Sequence, residues 1–296
     1  MIMKLLFKLS VFSFLLFFSY NSAYAADQSP QTQPLIFSAI PDQDQSQLKQ
    51  RFNKIAIYLS ETLNIPVKYV PVKSYAAAIT AFRNNQIQLG WFGGLSGVRA
   101  RALVPGSLAI AQGTEDTEFK TYFIAHHSTG LKPSEKFPAD IAGKNFTFGS
   151  KGSTSGRLMP EFFIRKHLEN SPNHIFSRVG FSGNHSRTIA LVQSGAYQIG
   201  AVNFKVWQRD LEAGKIDASK VSVIWETPTY PDYQWTVRGD VDDIWGKGFK
   251  QKIQQALLDM KDPALLSAFP RSAFISADND DYLPILKTAK KIGLID

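Results

Sequence analysis

The hydrophobic and polar positions along the chain follow two periods in turn. Short apolar runs, typical of buried strands, alternate with stretches in which apolar residues recur every three or four positions, as on one face of a helix. The first part of this pattern predicts two successive βαβ units and therefore a parallel sheet with right-handed crossovers. The predicted strands are 33–41, 67–72 and 87–92, and the predicted helices are 47–63, 75–84 and a short one ending near Leu103.

The strand–helix pattern starts again after residue 118. A turn-rich stretch, TPTYPDY at 227–233, separates this second series from a further strand at 234–238 and a mostly helical end at 245–295. Two α/β lobes are predicted, with crossings near 113–118 and 226–233 and a ligand cleft at the carboxyl ends of the strands. The strands predicted for the second lobe are 119–125, 145–148, 177–181, 199–202 and 221–225, and its helices follow Gly156 and cover 186–193 and 206–213.

The N-terminus has the organisation of a signal peptide. Lys4 and Lys8 precede the apolar run 11–18, and Ala23-Tyr24-Ala25 provides the small-x-small pattern of a cleavage site. We therefore expect residues 1–25 to be removed and the mature protein to lie in the periplasm, with full secretion as the lesser alternative. The absence of cysteine excludes disulfides, thiol chemistry and a lipid-modified cysteine anchor.

The formal net charge of +8 is modest for 296 residues, and the basic residues are scattered. A nucleic-acid partner would require a clustered basic face, so none is predicted. Mild positive charge would help to steer a small anion toward the protein.

A cluster of glycine and hydroxyl residues follows the predicted strand 145–148. Gly152-Ser153-Thr154-Ser155-Gly156 leads into an amphipathic segment, so short hydroxyl side chains and free backbone N–H groups meet at a helix start. Such a start suits a compact anion, although ordinary N-capping is the simpler interpretation. Pro160 lacks a backbone N–H, and we therefore expect the first turn of this helix to be irregular.

Several segments together carry a family resemblance. They are SAIPDQDQSQL, VPVKSYAAAITAFRNNQIQLGWFGGLSG, QGTEDTEF, FGSKGSTSGRLMPEFF, FSGNHSRTIALVQSGAYQIGAVN and TPTYPDYQWTVRGDV. In this order they resemble the phosphate-, phosphite- and phosphonate-type substrate-binding proteins of ABC importers, and most of all the branch labelled selenate-binding. The resemblance implies a type II-like, two-lobed periplasmic-binding-protein fold whose lobes are joined by two hinge strands. It also implies delivery of a small oxyanion to a permease with its ATPase. A monomer suits this mechanism, and no cofactor or metal is predicted.

The resemblance also implies a set of ligand contacts. Asn203 is added to this set because it ends a predicted strand, and Phe92 stands where some relatives have a tyrosine that could donate a hydrogen bond. Structural roles remain open for His185, for Tyr75 and for Asp232, which could simply shape its turn. The predicted ligand-binding residues are Tyr75, Phe92, Ser153, Thr154, Ser155, His185, Asn203 and Asp232.

The identity of the anion depends on whether a carboxylate enters the cleft. A protonated oxyanion such as monohydrogen phosphate, phosphite or a phosphonate monoanion carries an O–H that a buried carboxylate can accept. Sulfate and selenate carry no proton at neutral pH and would be repelled by it. Asp232 and Glu226 are the two candidates, and the sequence leaves the choice between them open.

The motifs of common enzymes are absent. There is no G-x-S-x-G, no G-x-x-x-x-G-K-[ST] and no H-E-x-x-H, so an enzyme is not predicted. Two alternatives remain: a periplasmic hydrolase or transferase using Ser153 and His185, and a module that senses the ligand for a membrane receptor.

Overall fold

Within residues 33–295, which the computed structural model describes, eleven strands form two separate sheets. The predicted signal peptide, residues 1–25, lies outside this range. The first sheet is six-stranded, with the order β11-β4-β10-β3-β1-β2. Its strands are β1 (Leu35–Ala39), β2 (Val67–Tyr69), β3 (Leu89–Phe92), β4 (Leu108–Gly113), β10 (Gln234–Val237) and β11 (Phe274–Ser276).

The second sheet is five-stranded and has the order β7-β6-β8-β5-β9. All of its strands come from the middle of the chain. They are β5 (Thr121–His126), β6 (Asn145–Phe148), β7 (Arg178–Phe181), β8 (Ile199–Asn203) and β9 (Val221–Glu226). We call the parts of the molecule built on the first and second sheets the first and second lobes.

Helices cover both sheets, and five of the eleven α-helices within residues 33–295 begin at a capping side chain. Ser74, Asn184 and Asn203 each accept a hydrogen bond from a backbone N–H of the first helical turn that follows them. The α-helices are α1 (Gln45–Leu63), α2 (Tyr75–Arg83), α3 (Gly94–Leu103), α4 (Met159–Leu168), α5 (Pro172–Ile175), α6 (His185–Gln193), α7 (Phe204–Glu212), α8 (Val241–Trp245), α9 (Phe249–Leu258), α10 (Pro263–Leu266) and α11 (Leu283–Lys291). None of the helices within residues 33–295 has the length and apolar character needed to cross a bilayer.

The predicted βαβ units are confirmed, but the sheets are mixed rather than fully parallel. Strand β1 pairs in parallel with β2 and β3, and β6 pairs in parallel with β7 and β8. In contrast, β10 runs antiparallel between β3 and β4, and β5 runs antiparallel between β8 and β9. The reason is that β5 and β10 are the strands by which the chain enters one lobe from the other, so no crossover helix sets their direction.

Two strands of the first sheet were not predicted. Strand β4, with the sequence LAIAQG, contains small residues rather than the β-branched and aromatic residues typical of strands. Strand β11 has only three residues and lies within a stretch predicted to be mostly helical. Both are held by pairing with distant parts of the chain rather than by local preference.

Two crossings connect the lobes, the first at residues 114–120 and the second at 227–233. They pair with each other, since Phe119 N donates to Tyr230 O at 2.9 Å and Tyr230 N donates to Phe119 O at 3.0 Å. Asp116 forms a buried ion pair of 2.7 Å with Arg271, whose guanidinium also stacks over the Phe119 and Tyr233 rings. This one ion pair therefore joins the C-terminal part of the chain to both crossings.

We expect Arg271→Met to lower the free energy of unfolding by about 3–5 kcal/mol. Burial raises the pKa of Asp116 and the charge of Arg271 lowers it, so removing the cation leaves a buried carboxylate uncompensated. Urea denaturation measures the loss. Lys120→Met is the control, because Lys120 pairs with Glu226 at the surface, where such pairs contribute less than about 1 kcal/mol. Similar losses in the two variants would contradict the importance of the Asp116–Arg271 pair.

Candidate functional site

The predicted ligand-binding residues lie at the ends of strands and the starts of helices, where the two lobes face each other. Tyr75 is the first residue of α2, His185 is the first residue of α6, and Asn203 is the last residue of β8. Asp232 lies on the second crossing. The eight residues are between 0 and 3% exposed, so the site is closed off from solvent.

The hydroxyl residues 153–155 occupy an irregular turn, as Pro160 predicted. Residues Thr154–Leu158 form a π-helical turn before α4, with Leu158 N donating to Ser153 O at 3.0 Å. Pro160 has no N–H for the carbonyl of Gly156, which instead accepts from Gly149 N at 2.8 Å. Gly156 packs closely against His185, since a Cβ at this position would lie only 3.0 Å from the His185 ring. The turn thus brings the hydroxyl groups close to His185.

The N-terminus of α3 is bonded both to the second crossing and to the second lobe. Gly94 N donates to Asp232 Oδ1 at 2.8 Å, and Leu95 N donates to Thr154 Oγ1 at 2.9 Å. Thr154 belongs to the second lobe and Leu95 to the first, so this hydroxyl group contributes to contact between the lobes. The first two backbone N–H groups of α3 therefore donate to side-chain oxygen atoms of the protein.

Asp232 has one oxygen atom that the protein leaves unused. Its Oδ2 is buried and has no hydrogen-bond partner, although Oδ1 is bonded to Gly94 N. Burial raises the pKa of Asp232 to about 7, while the Thr154 hydroxyl and the Gly94 amide lower it and the charge of Asp116 raises it. A bound molecule with an O–H group would find an acceptor here.

Tyr75 provides a second unused polar group. Its hydroxyl is buried without a hydrogen-bond partner. Burial, assisted by the charge of Asp42, raises the pKa of Tyr75 well above its ordinary value, so the hydroxyl keeps its proton. Tyr75 also touches the opposite lobe, since a Cβ on Gly152 would lie 3.0 Å from its Cβ. The Tyr75 hydroxyl is thus a hydrogen-bond donor between the lobes.

The hydrogen bonds of His185 determine which of its nitrogens carries the proton. Nδ1 accepts from Asn203 N at 3.2 Å, and burial together with the charge of Arg209 lowers the pKa of the ring to about 3. The ring is therefore neutral, with its proton on Nε2, which lies 3.5 Å from Ser155 Oγ. The Nε2–H of His185 therefore faces the hydroxyl turn at the limit of hydrogen-bond distance. Nε2 cannot take a proton from a serine, so His185 does not serve as the base of a Ser153–His185 dyad.

The side-chain amide of Asn203 forms its hydrogen bonds with other groups of the protein. Its Oδ1 caps α7 by accepting from Lys205 N and Val206 N, and its Nδ2 donates to the Tyr233 hydroxyl at 3.0 Å. That hydroxyl donates in turn to Asp42 Oδ2 at 2.9 Å. Tyr233 and Asp42 were not among the predicted site residues, because nothing in their local sequence shows that they meet across the fold.

The structure places Phe92 in the hydrophobic core. Its ring lies over Gly90 and meets Phe82 edge-on at 5.6 Å, whereas Trp91, on the opposite face of β3, stacks on Tyr233 at 5.5 Å. Both residues are therefore buried in the core, and Trp91 rather than Phe92 contacts Tyr233, whose hydroxyl bonds to Asn203. Because position 92 lies in the apolar core, a phenylalanine in place of the tyrosine of some relatives leaves no polar group without a partner.

The two candidate carboxylates differ in burial. Glu226 ends β9 with its side chain 53% exposed and paired with Lys120 at 3.1 Å, while Asp232 is 1% exposed. A surface cavity of about 1020 Å³ lies beside β9 and is lined by Glu226, Trp207 and Leu211, among others. None of the predicted ligand-binding residues lines it. At the interface between the lobes, the Asp232 Oδ2 atom and the Tyr75 hydroxyl are buried polar groups without a hydrogen-bond partner in the protein.

Comparison with known proteins agrees with this geometry. A model of the periplasmic phosphonate substrate-binding proteins of ABC transporters matches residues 37–282. A probable phosphite-binding ABC transporter protein, PhnD1 of Prochlorococcus marinus (strain MIT 9301), is 40% identical over 264 residues, which cover 87% of this chain and 89% of the relative.

Solved structures show the same fold. PhnD1 from Prochlorococcus marinus in complex with methylphosphonate is 39% identical, with a TM-score of 0.84 over 89% of this chain and 100% of the other. A binding protein of an ABC phosphonate transporter from Pseudomonas aeruginosa is 20% identical, with a TM-score of 0.76 over 87% and 85% of the two chains, and supports the fold alone. The two-lobed periplasmic-binding-protein fold is thus confirmed. The chain belongs to the phosphonate-type periplasmic substrate-binding proteins of ABC transporters, which are transport proteins and not enzymes.

Proposed function

We propose that this protein binds phosphite or a short alkylphosphonate as a monoanion between its lobes. The observation that carries the proposal is the buried, unpartnered Oδ2 of Asp232. An oxyanion with a P–OH group donates to this oxygen and turns an unfavourable buried acceptor into a satisfied one.

The remaining oxygen atoms of such an anion need donors. The Tyr75 hydroxyl and the Nε2–H of His185 supply two, and the hydroxyl protons of Ser153 and Ser155 in the π-helical turn can supply more. These donors are neutral, so they can hold a single negative charge without a buried lysine or arginine in contact with it.

Selenate and sulfate fit this arrangement less well. Both are fully ionised at neutral pH and offer no O–H to Asp232, so either ion can bind beside Asp232 only while Asp232 itself holds the proton, and ionised Asp232 repels it. This argues against the selenate label of the branch that the sequence resembles most. The names of the relatives, phosphite binding for one and a methylphosphonate complex for another, support the same choice.

The same fold suggests how the protein works. We propose that residues 33–117 with 228–296 form one rigid lobe and residues 118–227 the other, and that the crossings bend between them. Contacts from both lobes to one anion favour the closed state. The mature protein, cleaved near Ala25, would act as a periplasmic monomer that delivers the anion to a membrane permease and its ATPase.

The proposal is tested by thermal unfolding of the purified mature protein with phosphite, methylphosphonate, phosphate, selenate or sulfate at matched ionic strength. We expect phosphite or methylphosphonate to raise the melting temperature, because a ligand that binds only the folded state stabilises it by mass action. Selenate and sulfate should give little shift. Stabilisation by selenate alone would overturn the proposal.

Asp232→Asn should weaken phosphite binding at least about tenfold, because an amide N–H would face the P–OH group. Selenate binding should not weaken. Isothermal titration calorimetry measures both affinities, and an unchanged affinity for phosphite would remove Asp232 from the site.

The same variant should stabilise the ligand-free protein. A pKa of about 7 in the folded state, against about 4 in the unfolded chain, means that ionisation of Asp232 lowers stability as the pH rises from 4 to 7. We therefore expect the melting temperature of Asp232→Asn to exceed that of the parent by about 5–10 °C at pH 8 and by much less at pH 4.

His185 should stay neutral between pH 5 and 8, with its proton on Nε2, because its pKa is lowered to about 3. Nitrogen NMR of ¹⁵N-histidine-labelled protein measures the charge and tautomer of the ring, and His185→Gln identifies its signals. A ring that titrates near pH 6.5, or one protonated at Nδ1, would contradict the assigned role as a donor.

A further inference from the structure

A second group of polar contacts joins the lobes without using the groups that face the anion. Gln43 follows β1 in the first lobe, and its Oε1 accepts from Arg51 Nη1 at 3.1 Å. The same oxygen accepts from Nη1 of Arg209 on α7 of the second lobe. One neutral amide oxygen is therefore shared by two guanidinium groups, one from each lobe.

The position of Arg209 is set within its own lobe. Its Nε and Nη2 donate to Asp210 Oδ1 at 3.1 and 2.6 Å, which directs the remaining nitrogen toward the first lobe. Gln43 is 4% exposed, and the side chain of Arg209 is 19% exposed, so this contact is largely shielded from water. Charge-assisted hydrogen bonds in such surroundings are stronger than those at an open surface.

Two further contacts link the second lobe to the first lobe and to the first crossing. His185 N donates to the Asp42 carbonyl at 2.9 Å, and Lys205 lies 3.5 Å from Glu115 of the first crossing. Together with the Gln43 contact they connect α6 and α7 of the second lobe to residues 42–43 and to the first crossing. Contacts that span the two lobes in this way can be made only while the lobes are closed.

We infer that Gln43, Arg51 and Arg209 form a latch that sets the affinity for the anion by setting the fraction of closed protein. The inference rests on the proposed two-lobe clamp. The apparent dissociation constant equals the intrinsic one divided by the fraction of molecules in the competent state, so residues that touch no ligand can change it.

The latch is weak because the oxygen atom to which both guanidinium groups donate belongs to the neutral amide of Gln43. Closure brings the two guanidinium groups together around Gln43. Burial lowers the pKa of Arg51, and the charge of Arg209 lowers it further because the two cations repel each other. Asp42 and Asp210 offset part of this repulsion, since both act on Arg51 in the opposite direction. A carboxylate in place of the Gln43 amide would pair with both cations in the closed state but only with Arg51 in the open state.

The latch is tested with Gln43→Glu and Arg209→Met, and with Lys215→Met as the control. Lys215 is exposed just after α7, so its substitution removes a positive charge from the same lobe without touching Gln43. We expect Gln43→Glu to bind methylphosphonate about tenfold more tightly and Arg209→Met about tenfold more weakly, mainly through the dissociation rate. Calorimetry and stopped-flow dissociation measure these changes.

The sign of the Gln43→Glu effect separates the latch from simple electrostatics. If the added negative charge acted only by repelling the anion, binding would weaken, and that result would overturn the latch. Affinities equal to that of the parent in both Gln43→Glu and Arg209→Met would overturn it too. In either case the clamp function would stand, since the parent still binds methylphosphonate.

A second readout does not depend on the ligand. Small-angle X-ray scattering of the ligand-free proteins should give a larger radius of gyration for Arg209→Met and a smaller or equal one for Gln43→Glu, relative to Lys215→Met. If the parent bound no anion, the proposed function would fail, while these radii would still test the latch. Identical radii in Arg209→Met and Lys215→Met would then reject it.

Discussion

The ion pair between Asp116 and Arg271 is the interaction on which the arrangement of the lobes depends. Both side chains are buried at the crossings, and the carbonyl of Asp116 accepts from Asp232 N at 3.0 Å. The guanidinium of Arg271 also stacks on Tyr233, the residue after Asp232. The acidic group of the site is thus attached directly to the pair that connects the two crossings. Anything that moves the crossings therefore also moves Asp232.

The site itself is maintained at a cost in stability. The Asp232 carboxylate and the Tyr75 hydroxyl are buried with unused hydrogen-bonding capacity, which the rest of the fold must offset. Groups without internal partners also contribute most to ligand binding, because a ligand can form hydrogen bonds to them without breaking existing ones. The polar groups around them do have partners within the protein. Asn203 donates to Tyr233 and Tyr233 donates to Asp42, and this chain of hydrogen bonds fixes the surroundings of the unpartnered groups.

Contacts across the cleft fall into two kinds with different consequences. Some involve residues beside the open groups, such as the bond from Leu95 N to Thr154, and these couple closure to the site itself. Others, such as the Gln43 group, contribute to the closed state whatever occupies the cleft. A binding protein must release its ligand as well as bind it, and a neutral glutamine between two cations limits how strongly the second kind of contact holds the lobes together.

Features that depend on neighbouring residues could be predicted from the sequence. The periodicity of the first hundred residues predicted β1, α1, β2, α2 and β3, and the lack of an N–H at Pro160 predicted the irregular turn at Thr154–Leu158. Features that depend on distant partners became visible only in the folded structure. The antiparallel insertion of β10, the pairing of β4 and β11, the core position of Phe92 and the meeting of Tyr233 with Asp42 all follow from contacts between residues far apart in the chain. The burial of Asp232 and the exposure of Glu226 were decided in the same way, because both residues lie at turns whose surroundings are set by packing rather than by local sequence.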